Sequence, residues 1–119
     1  MDKKEELRPA ELNFEGKQMV WTGEFVNRVI TRGIINIFNN DLDTCKKEIE
    51  RLMREDSAVV HNPIEEYSSQ KWVLIDLPVL GLTKLPVKEA GDSIVVITIA
   101  NPVPDPRCKE AFKNRTRKG

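Results

Sequence analysis

Apolar positions recur mainly at helical spacing between Thr22 and Glu55 and in strand-like runs beyond it. From Leu12 to Trp21 (LNFEGKQMVW) apolar residues bracket Glu15-Gly16, which predicts a short strand or a small hairpin turning at Gly16. Thr22 then stands where a helix N-cap belongs and Gly33 where a C′ glycine belongs, so a helix runs from Gly23 to Arg32. Its buried stripe is Phe25, Val26, Val29 and Ile30, while Glu24, Arg28 and Arg32 stack along a polar face. The segment IINIF fits two readings, and the spacing of Ile34, Phe38 and Leu42 favours helix over strand. Asn39, Asn40 and Asp41 offer the next N-cap. An amphipathic helix marked by Leu42, Cys45, Ile49, Leu52 and Met53 follows to about Glu55.

Beyond that helix AVVH, KWVLIDLPV and SIVVITIA are short β-branched runs separated by Asn62-Pro63, Gly81 and Gly91-Asp92, which predicts three antiparallel strands. Gly91-Asp92 lies between the second and third runs, so those two should be neighbours, with Pro78 and Pro86 confined to strand or loop edges. The Pro102, Pro104, Pro106 series ends the last strand, and CKEAFKNRTRKG can add at most a short basic helix. The expected fold is α+β: two N-terminal helices packed on one face of a twisted antiparallel sheet of three to four strands. Residues 1–8 read as a flexible N-terminus, 9–106 as a single domain and 107–119 as a basic C-terminal tail.

Length and composition agree with one domain: 119 residues, 39% apolar and 32% charged, enough for one core without disulfides. The two cysteines are far apart and the first residues (MDKKEELRPAE) are charged, so a cytoplasmic protein with neither signal peptide nor membrane span is expected. Net charge is zero, with 19 basic and 19 acidic residues, yet the last thirteen residues hold six basic and one acidic. Such a local excess can approach a polyanion although the whole molecule is neutral. The plainer reading is a solvated C-terminus.

Several chemistries fail on counting. One His and two dispersed Cys cannot assemble an ordinary zinc site, and no phosphate-binding glycine loop is present, so neither metal nor cofactor is expected. His61 reads as a surface or hydrogen-bonded side chain at a strand end, Cys45 as a small core residue, and Asp41 and Asp43 as compensation for a helix dipole. Glu65 and Glu66 read as solvated loop acids. The remaining candidates are basic. Arg28 and Arg32 would join Arg107, Lys109, Lys113, Arg115, Arg117 and Lys118 in one phosphate-binding surface if the tail packs near the first helix. The alternative is an i, i+4 chain of Glu24, Arg28 and Arg32 on a solvated face.

Two stretches carry a family resemblance. WTGEFVNRVITRGI is similar to the opening of small bacterial proteins related to RelE-type toxins, of pattern T-x-H-[small or apolar]-x-x-R-x-x-x-R-G-I. SIVVITIANPVPDPRCKEAFKNR resembles their ending, a strand of form [IV]-[IV]-V-I-T-[IV]-Y, a Pro and Asp turn, and a basic F-x-x-R finish. Thr22, Arg28, Arg32, Gly33 and Ile34 match the first motif, and Thr98, Pro102, Phe112 and Arg115 the second. The resemblance implies a RelE-like fold in a bacterium or its mobile elements. It also implies, for some relatives, toxin–antitoxin function: endoribonuclease (mRNA interferase) activity on RNA or the ribosome, opposed by an antitoxin.

In that chemistry a 2′-hydroxyl attacks the adjacent phosphate, and Arg28 and Arg32 would neutralise the developing charge while Arg107, Lys109, Lys113 and Arg115 hold the RNA backbone. Glu24 stands in place of the pattern's His and Ala100 in place of its Tyr. Glu24 could act as general base, a role its neighbour Arg28 weakens, so a catalytically silent relative is the alternative within the family. A non-enzymatic interaction domain, such as an inhibitor, an adaptor or a phage accessory protein, is the reading from another class. A homodimer through a sheet edge suits either.

Overall fold

A computed structural model describes residues 6–115; Arg117 and Lys118 of the basic tail lie outside them. The α+β class holds, with five strands and three helices among the described residues. Strand β1 (Gln18–Trp21) follows a turn in which Gly16 takes φ 73°, and helix α1 (Gly23–Thr31) begins directly after it. Thr22 caps α1: its hydroxyl accepts the Phe25 N–H at 3.1 Å and donates to the Ile97 carbonyl at 2.6 Å, tying the helix start to the far end of the chain. Gly33 ends the helix at φ 74°, a left-handed position that a side chain would strain. The ambiguous IINIF forms a 3₁₀ turn over Ile34–Phe38, and α2 (Leu42–Glu55) starts at Asp41, whose carboxylate accepts from Asp43 N–H and Thr44 Oγ1.

The second half builds β2 (Ala58–His61), β3 (Lys71–Leu77), β4 (Gly81–Ala90) and β5 (Ser93–Val96), and the sheet order is β1-β5-β4-β3-β2. Three expectations are corrected. The sheet has five strands, because GLTKLPVKEA forms β4 where loop edges were expected. β4 therefore separates β3 from β5, and those two are not neighbours. The sheet is also mixed: β1 runs parallel to β5, while the other neighbouring pairs are antiparallel.

Pro86 misled the reading of β4, and its tolerance in a central strand has a local cause. Val87 pairs with Val96 but Lys84 with Ala100, so the chain opposite β4 carries one extra residue in between, a β-bulge. The Pro86 carbonyl accepts the Ile97 N–H at 2.9 Å, so its missing N–H faces this bulge, where the ladder is already interrupted. The bulge also shifts the alternation: Ile94 and Val96 are buried before it and Ile99 after it.

Both faces of β3 are covered. Val73, Ile75 and Leu77 join Phe25, Val29, Cys45, Ile49 and Met53 under α1 and α2. Trp72 and Leu74 instead join Leu7, Ala58, Val60, Val103 and Cys108 on the opposite face, under α3 (Pro106–Asn114). Two helices on one face therefore describe only half of the packing, and the segment from Arg107 to Asn114 is a docked helix. Backbone at residues 8–10 borders the outer edge of β2, through His61 N–H to Arg8 O and Ala10 N–H to Val59 O, each 2.9 Å. The other edge, β1, has no strand beyond it among the described residues.

Candidate nucleic-acid interface

The expected cluster of basic residues does not form as one surface. α1 packs on one face of the sheet and α3 on the other, so the buried positions of β3 separate Arg28 and Arg32 from every cation of α3. Arg28 pairs with Glu24 at 3.5 Å, one helical turn away, with both side chains partly exposed. Arg32 is the exposed C-cap residue of α1, with no ion pair among the described residues. Glu24, Arg28 and Arg32 thus make the solvated i, i+4 arrangement on one face of α1.

On α3 the arginines are engaged within the protein. Arg107 forms a two-pronged pair with Asp105, Nη2 to Oδ2 at 2.8 Å and Nε to Oδ1 at 3.2 Å, and the guanidinium holds that carboxyl below its usual range. Asp105 is also the N-cap of α3, accepting the Arg107 N–H at 2.9 Å. Arg115 donates to Asp56 at 2.7 Å, lies 3.6 Å over the Phe112 ring and donates to the Phe112 carbonyl, so it fastens the end of α3 to the corner after α2. The Arg115 hydrogen bond lowers the Asp56 pKa.

Lysines line the same face of the sheet. Lys109 and Lys113 stand one turn apart on α3, both exposed, beside Asp76, Leu82 and Phe112 in a shallow cavity of about 490 Å³. Lys84 of β4 lies over Trp72 at 3.9 Å and faces Asp105, and Lys88 is the next same-face charged residue of β4. Lys84 and Lys88 of β4 and Lys109 and Lys113 of α3 thus make a lysine row on the α3 face, with Asp76 and Asp105 beside it, where α3 covers β2 and β3 but leaves the outer part of β4, β5 and β1 open. Val20 of β1 is 42% exposed on that open part. Sequence reading missed Lys84 and Lys88 because their segment was not read as a strand; alternation along β4 is the signal that carries them.

The two cysteines are unreactive by placement. Burial pushes the Cys45 thiol up to about 11 and also raises that of Cys108, so neither is a nucleophile near neutral pH. His61 is half-buried at the end of β2, and Glu65 and Glu66 are exposed in a 3₁₀ turn. No group of three metal-ligating side chains occurs among the described residues, and no helix there is long and apolar enough to cross a membrane. A larger groove of about 1040 Å³ lies between residues 6–14, β2 and α3, with both acids (Glu6, Glu11, Glu55, Glu110) and arginines (Arg54, Arg107, Arg115) in its lining. The chain is thus an α+β domain with one densely packed and one half-open sheet face. In comparisons with protein-family models, curated proteins and solved structures, no match to the chain was found.

Proposed function

We propose that this chain is a RelE-toxin-related protein that binds single-stranded RNA on the α3 face of its sheet without cutting it. The family reading rests on the resemblance across Thr22–Ile34 and Thr98–Arg115. Binding is supported by one observation, the row of Lys84, Lys88, Lys109 and Lys113 beside an open sheet face. Silence is supported by the separation of the α1 arginines from that row, by the Glu24–Arg28 pair and by the engagement of Arg107 and Arg115. A transition-state clamp needs its cations around one phosphate, and an acid–base pair needs two groups on one scissile site.

Titration of a labelled single-stranded RNA across a salt series tests this reading. A Lys88→Ala, Lys109→Ala variant should weaken binding and flatten the salt slope by about 1.4, at ~0.7 per charge removed. The RNA should stay intact, and induced expression should not arrest bacterial growth. New RNA ends that vanish in an Arg28→Ala, Arg32→Ala variant would restore the endoribonuclease reading. The open β1 edge favours a second reading, a domain that docks an antitoxin or other protein by strand addition. In that case the RNA titration shows no salt-dependent affinity.

A further inference from the structure

The tip of the β3–β4 hairpin, Pro78–Val79–Leu80, presents an apolar side chain where the backbone least favours one. Val79 takes φ 70°, Leu80 N–H donates to the Pro78 carbonyl at 2.7 Å to close a three-residue turn, and the Val79 side chain is 92% exposed. A β-branched residue at positive φ is strained, and glycine or asparagine would turn the chain without that strain. This chain uses those residues elsewhere, at Gly81 (φ 78°), Asn39 and Asn40. Nothing in the packing of the domain calls for valine at the tip.

The tip is also held rigid from below. Asn101 Nδ2 donates to the carbonyls of Leu80 and Leu82 at 3.1 Å each and to Thr83 Oγ1 at 2.9 Å, and Leu77 at the hairpin base is buried. Asp76 and Leu82, paired across the hairpin, line the shallow cavity with Lys109 and Lys113. The tip therefore continues the hairpin just beyond the cavity that Lys109 and Lys113 line.

We infer that Val79 is a preformed wedge that enters between two bases of a single-stranded RNA whose phosphates run along the lysine row. The inference rests on the RNA-binding reading above and names how that site meets the bases. Alternatives need more surface than the tip has. A protein interface of ordinary size buries roughly 800 Å² per partner, and an interfacial membrane anchor needs an extended apolar face, often with aromatic residues. A base wedge needs one rigid apolar side chain with cations beside it.

The test uses the full chain and a single-stranded RNA with one 2-aminopurine, whose fluorescence rises when the base is unstacked. The wild type should bind and raise the signal. Val79→Gly and Val79→Asn, both at ease at positive φ, should bind roughly fivefold to tenfold more weakly, the worth of taking most of a valine side chain out of water, and lose the rise, with unchanged salt slope. Their melting temperatures should not fall below that of the wild type. Lys88→Ala, Lys109→Ala should flatten the salt slope yet keep the rise at saturation. If both Val79 variants bind and report like the wild type, the wedge is overturned and the RNA reading stands. If the wild type has no RNA affinity, both are overturned.

Discussion

The two faces of the sheet are made from alternate residues of the same strands, yet only one is closed. Under α1 and α2, Val73, Ile75, Leu85, Val87, Ile94 and Val96 are fully buried, and Trp21 packs on Phe25 with ring centroids 4.8 Å apart and the planes tilted by 40°. Under α3, burial is confined to β2 and β3 around Trp72, Leu74 and Cys108, and the rest of the face carries Lys84, Pro86, Lys88 and Val95 partly or wholly in water. The closed face supplies most of the burial that offsets the entropy of ordering the chain. The half-open face is where a ligand can reach strand residues without displacing the core.

The contrast breaks most directly at Phe25. Phe25→Ala should destabilise the domain by about 3–5 kcal/mol in urea titration, since the cavity is enclosed by two helices and the sheet. Lys88→Ala on the other face should stay within about 0.5 kcal/mol. A comparable cost at both positions would mean that the open face is covered in solution.

Thr22→Ala should cost about 1–2 kcal/mol, because one hydroxyl both caps α1 and holds the bulged strand. Thr22→Ser should restore most of that loss.

Acid sharpens the comparison next, because the carboxylates with lowered pKa values, Asp56, Glu89 and Asp105, all lie outside the closed core. Each owes its shift first to a hydrogen bond from a cation, Arg115, Lys71 and Arg107 respectively. A carboxylate with a lowered folded pKa binds fewer protons folded than unfolded, so its contribution is complete above the ordinary values of 3.8 for Asp and 4.5 for Glu. That contribution is lost as pH falls through the folded values. The urea midpoint should hold steady from neutrality to about pH 5 and drop below it. Asp105→Asn, which keeps the cap but not the charge, should flatten that drop. A small effect is expected from Asp56→Asn at neutral pH, about 0.2–1 kcal/mol, since the Asp56 side chain is 53% exposed. A larger loss would mean that this pair, rather than Cys108, docks α3.

Local interactions made part of the molecule legible. Thr22, Gly33 and Asp41 mark helix ends because capping depends on residues within one turn, and the stripe of Cys45, Ile49 and Met53 is buried because helical period fixes a face. The candidate site was less legible. Lys109 and Lys113 were found from charge alone, whereas Lys84 and Lys88 were hidden by Pro86, and the grip assigned to Arg107 and Arg115 took no account of Asp105 and Asp56.

By itself, then, the sequence determined the helix boundaries, the change of period near residue 56 and the basic character of the final segment, all set by neighbours along the chain. Only the tertiary structure decided that β4 passes through the sheet beside a bulge, that β1 pairs in parallel with β5, and that α1 and α3 sit on opposite faces. Those outcomes depend on which face a connection crosses and on contacts between residues more than seventy positions apart, such as Thr22 with Ile97. No local period or propensity encodes them.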